Sequence, residues 1–393
     1  MRICQILDKN ISYKVYTGLS TIHAHWDEFL PDGHFLKSTR LSVMQQSNLE
    51  DVSFVYMEVF RNGNCIGLLY CQLFRFHSGH YSAELLDQTS IQLVRNFILR
   101  QETGLLICGN LFHLQEPGFY FKEGEDESLL FQILHHFQRR CSVKVSGILV
   151  KDSGSQLNLA EAKETNFQPF ERDVLMEIPI RSDWQNLDYY VDSLSKKYRQ
   201  RASKILTAKE TLEVRFLSLN EIQEFSTDIE RLYQNVRSKQ TFRLGALNAQ
   251  YFYLMKKALG ENFMVKAWFL DRKMIAFSSL FTHPGNKLEI HYIGFEYEMN
   301  EKFALYFNII FDGIQEAIKN NAVCLMLGRT GYDAKASAGA VPVSGNHFYK
   351  IKRGIPALAF RYFSSSYRSK ESEGWRKRNP FKMSIPENEP VTT

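Results

Sequence analysis

Three stretches of this 393-residue chain hold residue types at spacings that suit chemistry. The first is LEIHYIGFEYE, residues 288–298. Strand alternation places Leu288, Ile290 and Tyr292 on one face and Glu289, His291 and Ile293 on the other. A carboxylate or an imidazole there can take the proton that an amine gives up as it attacks an acyl carbon. The same pair also suits a solvent-facing edge or a hydrogen-bonded core. The second stretch is LGRTGYDAKASAGAVPV, residues 327–343, where an apolar run breaks into glycine and alanine. Its glycines let the backbone approach a ligand closely, and Arg329 and Lys335 can meet negative charge. A plain crossover loop with a solvated lysine is the alternative. Tyr332 and Asp333 in the same loop are candidates to protonate a leaving group or to position an amine. The third is SLSKKYRQRASKILTAK, in which Lys196, Lys197, Arg199, Arg201 and Lys204 spread over more than one helical face. It reads as a solvated helix or as a basic wall for a phosphate-bearing substrate.

Several chemistries are excluded. Gly331 is followed by Tyr-Asp-Ala before Lys335, so the Walker A spacing fails and nucleotide hydrolysis with it. No G-x-S-x-G elbow is present, and none of the six cysteines forms a C-x-x-C pair. Covalent catalysis, structural zinc and a disulfide framework are therefore not expected. Neighbours on a helix diverge by about 100°, so His135 and His136 do not make a metal site, and no metal is expected. The balance of 48 basic to 43 acidic residues, a formal +5, argues against a dedicated DNA-binding protein but permits a local basic groove. No signal peptide or membrane-length apolar run is legible, which points to the cytoplasm, with peripheral membrane contact left open.

The elements that must hold these stretches emerge from an internal repeat. Residues 53–68, SFVYMEVFRNGNCIGL, align without a gap on 262–277, NFMVKAWFLDRKMIAF, and each reads as a hairpin. Gly118 and Gly294 then open matching segments that run through a helix into a further strand, from Val145 and Ala322. The first copy carries an insertion, placed at 77–104, with an amphipathic helix near 88–100. The fold class is thus mixed α/β: two tandem domains, each a mixed sheet with a central helix. The domains are 1–160, degenerate in its loop (Lys151-Asp152-Ser153-Gly154), and 174–363, which bears the expected site; 364–393 reads as a mobile basic tail. Ser182 and Gln185 fit a capping box at a helix start.

Hairpin, strand, helix, strand is also the order of the GNAT acyltransferase core. The chain resembles the Fem-related branch of that superfamily, which has two such domains in tandem. Three motifs carry the resemblance: Leu194-Ser195-Lys196-Lys197-Tyr198-Arg199, Gly328-Arg329-Thr330, and Lys335 with Gly339-Ala340. The order of elements matches over roughly 20–360; the motifs lie only in the second half. The resemblance implies an N-acyltransferase that forms an amide from an activated acyl or aminoacyl donor (acyl-CoA, acyl carrier protein or aminoacyl-tRNA) and a small-molecule amine. It implies a setting in cell-envelope, lipid or peptidoglycan-related metabolism. Acyl-CoA or another donor serves as co-substrate, with no bound cofactor. Glu289 or His291 is the expected proton acceptor, with Tyr332 beside them; Arg199, Arg329, Thr330, Asp333 and Lys335 are the expected donor and substrate contacts. Two features of the family are absent: the glycine-rich pyrophosphate turn, replaced by Glu298-Met299-Asn300-Glu301-Lys302-Phe303, and the heptad arm that contacts tRNA. A non-catalytic protein that binds a carrier protein or an envelope precursor is the alternative reading.

Overall fold

Asn62 and Gly63 have φ of 49° and 85°, and Asp271 and Arg272 have 48° and 66°. These are the paired left-handed residues of a two-residue type I′ turn, and each closes the hairpin that the repeat implies. The computed structural model describes residues 3–22, 25–76, 103–141, 143–153, 157, 159–170, 174–240, 245–354 and 376–382. The helix expected near 88–100 lies outside them.

The chain forms two units. In the first, the sheet runs β1 (Ile3–Ile6), β2 (Ile11–Tyr16), β3 (Val52–Arg61), β4 (Asn64–Phe76), β5 (Thr103–Cys108), β7 (Val145–Val150), β16 (His347–Ile351) and β8 (Gln168–Phe170), with β6 (Phe119–Phe121) also on β4. Helices α1 (His25–Phe29), α2 (Ser38–Gln46), α3 (Leu129–Arg140) and α4 (Leu159–Glu164) belong to it, as does α9 (Ala249–Leu259). In the second, the order is β10 (Glu213–Phe216), β11 (Phe263–Leu270), β12 (Lys273–His283), β13 (Lys287–Phe295), β14 (Cys324–Gly328), β9 (Val174–Pro179) and β15 (Val341–Ser344). Its helices are α5 (Leu187–Ser193), α6 (Lys196–Lys209), α7 (Leu219–Glu224), α8 (Ser226–Ser238), α10 (Tyr297–Phe303), α11 (Leu305–Lys319) and α12 (Tyr332–Ser337). Both copies thus show a hairpin, a third antiparallel strand, a helix and a parallel strand, in mixed sheets as expected.

Four expectations are corrected. The units are not contiguous: 239–259 and 344–367 group with the first, because α9 packs on α2 and β16 pairs with β7 and β8. The insertion in the first copy is not confined to 77–104. A further loop, 109–118, splits its third strand into β5 and β6, which both pair with β4. No helix starts at Ser182: the Arg181 guanidinium pairs with Asp183 across a turn, and α5 begins instead after Asn186, whose Oδ1 accepts from the Asp188 and Tyr189 amides. The tail is docked over 376–382. Phe381 is buried against Trp184 and Tyr190 and bridges to Leu194, an aromatic anchor that a reading of charge and proline misses. A Cβ on Gly339 would lie 2.5 Å from the Phe381 ring, so the glycine makes its seat.

In the second unit, α11 packs tightly on β13: a Cβ on Gly313 would sit 2.6 Å from Ile290 Cδ1. The helix also carries two acids into the core. Asp312 accepts from Lys209 Nζ on α6 at 3.1 Å and from Lys266 Nζ on β11 at 2.7 Å, and Lys266 also reaches Glu316 at 2.9 Å. Asn308 Nδ2 donates to the Ile205 carbonyl, a second tie between α11 and α6. Among the described residues no helix is long and apolar enough to cross a membrane. Removing one partner of a buried ion pair strands the others, at a cost of about 3–5 kcal/mol. Asp312→Ala is therefore expected to lower unfolding stability by about that much in a urea titration, with Glu316→Gln losing less.

Candidate active site

Glu289 lies on the face of β13 opposite Leu288 and Ile290, and it is 1% exposed. Its Oε1 is 2.8 Å from His291 Nδ1 and its Oε2 is 2.5 Å from His283 Nε2. His283 is on β12, where Phe281 stands directly across from Glu289, so the three groups share one face of the hairpin. Phe263 and Phe281 wall the His291 ring at 6.1 and 5.9 Å. Burial pushes the Glu289 carboxyl up, but attraction to His291 and hydrogen bonds from both imidazoles outweigh it and hold the group well below the usual carboxylate range.

The strand is irregular just beyond this cluster. The β12–β13 register shifts between Ser278 and Leu280, a β-bulge in which Ser279 Oγ accepts from the Tyr292 amide at 3.0 Å. Tyr292 then turns against Tyr233 of α8. Burial lifts the Tyr292 phenol far above its ordinary range; Tyr233 and Glu289 add to this and Arg329 opposes it. Glu289 and Arg329 thus act on the Tyr292 phenol in opposite directions.

Glu289 is also the last residue of β13 to pair with β14, opposite Met326. Past it β13 continues to Phe295, while β14 pairs with β9. The parallel strands of the first unit, by contrast, stay paired to Cys108 and Val150. The second unit opens a gap between its parallel strands where the first closes one.

Gly328, Thr330 and Gly331 all have positive φ, at 70°, 68° and 63°, in the loop at the end of β14. Lys335 is 5% exposed and folds back beneath it, donating to the Arg329 carbonyl at 2.8 Å and the Gly328 carbonyl at 3.2 Å. The expectation that Lys335 meets donor phosphate thus meets a side chain that first shapes its own loop. Tyr332 is likewise buried, its hydroxyl 3.3 Å from the Val174 carbonyl. Asp333 pairs with Arg378 of the docked tail at 3.0 Å. Arg329 and Arg199 are half-buried and Thr330 is exposed. The structure brings Glu289 and His291 together, and Arg329 acts on the neighbouring Tyr292; Tyr332 and Lys335 support the loop, and Asp333 faces the tail.

Where a pyrophosphate turn would precede the central helix, Ala304 takes φ 47° and joins α10 to α11. Asn300 Oδ1 accepts from the Tyr306 amide at 2.9 Å, so that helix start already has an acceptor.

Sequence reasoning missed two features. His283 is one, because its relation to Glu289 runs across strands; two histidines flanking a glutamate on adjacent strands, H-x5-E-x-H, was the signal available. The other is a buried network in the first unit, on the loop that interrupts its third strand. His113 Nδ1 meets Glu116 Oε2 and His113 Nε2 meets the Tyr251 hydroxyl, each at 2.9 Å. Arg40 binds Glu116, and Lys151 binds Asp152 and the His113 carbonyl. These groups satisfy one another; the spacing H-x-x-E (113–116) was the visible sign. Among the described residues no group of three or more His, Cys, Asp or Glu could hold a metal ion.

No family model matches the chain, and no curated protein matches it in sequence. Solved structures do. The chain is similar to FemX. Identity is 12%, the TM-score is 0.48, and the match covers 83% of this chain and 93% of the other. L-PGS from Bacillus licheniformis is similar at 11% identity and a TM-score of 0.46, over 84% and 97% of the two chains. A tandem GNAT protein from the clavulanic acid biosynthesis pathway follows at 8% and 0.45, over 80% and 87%.

A carboxyl with a depressed folded-state pKa stabilises the fold above its unfolded value, about 4.3, and that stability is lost as pH falls toward the folded value. The wild-type chain should therefore lose stability below about pH 4.5 in acid titrations followed by circular dichroism. Glu289→Gln should be less stable at pH 7 and show a flatter acid limb. At Gly331 a Cβ would lie 2.7 Å from the Tyr306 hydroxyl, at φ 63°. Gly331→Ala should cost about 1–3 kcal/mol in the same measurements.

Proposed function

We propose that the second unit is an N-acyltransferase that forms an amide between an activated acyl donor and an amine. One observation carries this reading: a buried glutamate held between two imidazoles at the point where the parallel strands β13 and β14 part. Both Glu289 oxygens are taken up by imidazoles, so its role is to orient and charge-stabilise rather than to accept the proton itself. The base is then a histidine, His291 or His283, with Glu289 stabilising the imidazolium that forms. This refines the expectation that Glu289 or His291 is the proton acceptor.

The reaction is direct attack. The amine nitrogen adds to the carbonyl of the thioester or ester, the imidazole takes the amine proton, and the thiol or alcohol leaves as the tetrahedral intermediate collapses. Backbone N–H groups of β13 past Glu289, where β14 no longer pairs with it, would stabilise the oxyanion. Arg329 beside the gap would meet donor phosphate, with Arg199 on α6 supplying further positive charge and Thr330 lining the loop. The donor is an acyl-CoA, an acylated carrier protein or an aminoacyl-tRNA; the occupied start of α11 favours a donor whose phosphates are met by side chains. The similarity to FemX and a tandem GNAT protein supports the same direction at the level of fold only.

Thermal shift against acetyl-CoA, a long-chain acyl-CoA and an acylated carrier protein, paired with thiol-release assays over a panel of amines, tests the reading. One donor should stabilise the protein and turn over. His291→Ala and Glu289→Gln should then lower kcat by ~10²–10⁴-fold. Arg329→Gln should mainly raise KM for the donor. Neither stabilisation nor turnover with any donor, aminoacyl-tRNA included, would overturn the enzyme reading in favour of a binding protein.

A further inference from the structure

Lys350 lies on β16 in the first unit. Its side chain is half-buried, and its Nζ touches His135 Nδ1 of α3 and stands 5.4 Å from the centre of the Phe167 ring. Its cross-strand neighbour on β7 is Ile148. One helical turn beyond His135, Arg139 adds a second positive charge. On the same helix His136 meets the Tyr13 hydroxyl, with Arg140 close to both. Glu161 on α4, which packs on α3, is held instead by Gln132 Nε2 at 2.9 Å. Among the described residues no carboxylate pairs with Lys350.

An amine that is desolvated, crowded by another cation and lacking an acid partner is an activated nucleophile. Burial, with Arg139 adding to it, brings the Lys350 ammonium down to about 8. At pH 7.5 about a quarter of such a group is free amine, against roughly one part in a thousand for an ordinary lysine. Burial and the same cations pull the His135 imidazolium down as well, which favours the neutral ring and leaves Nδ1 able to accept a proton from Nζ.

We propose that Lys350 is an acylation site, an amine that takes an acyl group from a phosphate-bearing activated donor, either an acyl phosphate or an acyl-CoA. Nζ attacks the carbonyl carbon and a C–N bond forms. The C–O bond to phosphate, or the C–S bond to the thiol, breaks and the leaving group departs with the bonding pair. The proton shed by nitrogen passes to His135 Nδ1 and from there to solvent. Arg139 meets the donor's phosphate. The product is a neutral amide on β16, with one positive charge removed.

The test is site-resolved acylation of the full chain with acetyl phosphate and, separately, acetyl-CoA at pH 7.5, read by peptide mass spectrometry. Lys352, exposed and two residues along, is the internal standard. Lys350 should react at least about tenfold faster than Lys352, after allowing for the lower nucleophilicity of a less basic amine, and its rate should level off above about pH 8. Arg139→Gln should slow Lys350 and move that bend to higher pH. His135→Ala should slow it while leaving Lys352 unchanged. Whichever donor labels Lys350 identifies the source. Glu289→Gln should leave the labelling intact; its loss there would assign the acylation to the second unit and overturn the proposal. So would a Lys350 rate no greater than that of Lys352, or a bend near pH 10.

Discussion

A buried aspartate on the central helix sets the frame of the second unit. Asp312 takes one lysine from α6 and another from β11, so a helix, a strand and the helix between them are fixed to one carboxylate. Such a group is expensive to desolvate and stable only while both partners stay in place, which makes it a demand on geometry more than a source of stability. Its effect is directional. With α11 held by its polar face and closed on β13 at Gly313, the opposite face of β13 is left to carry Glu289 and the imidazoles.

The two units show what one topology does with the same position. In the first, the third strand is interrupted, and the loop fills the end of the parallel pair with His113, Glu116, Lys151 and Asp152, each buried and partnered. In the second, the third strand stays continuous, bulges at His291 and Tyr292 opposite Ser279 of β12, and separates from its parallel neighbour. Buried polar groups that satisfy each other rigidify. In the second unit the buried glutamate and its imidazoles stand instead where the pairing of the parallel strands ends. Lysines underline the contrast: both Lys151 and Lys335 are turned inward onto backbone carbonyls, although only Lys335, on α12, follows a loop rich in glycine.

Much of this was legible from local pattern. The hairpins follow from Asn62-Gly63 and Asp271-Arg272, and Glu289 and His291 share a face because strands alternate. What escaped depends on register or on tertiary contact. His283 meets Glu289 only once β12 and β13 are aligned with Phe281 opposite Glu289. The inward turn of Lys335 depends on the left-handed residues that aim carbonyls at it. Phe381 sits in a charged, proline-bearing tail, and nothing local announces the seat that Gly339 and Trp184 provide.

The place of β16 has a consequence for how the chain acquires its structure. Among the described residues β8 joins the first sheet only through β16, and β16 is encoded after the whole of the second unit's sheet. A ribosome must therefore finish residue 351 before the sheet begun at residue 3 can close. Until then the exposed edge of β7 waits through about two hundred residues of synthesis, as seen from Val150 and Ile351. Long-range pairing of this kind slows folding and leaves an edge open to wrong partners. A gene cut between the repeats would release a first half whose sheet lacks its own penultimate strand.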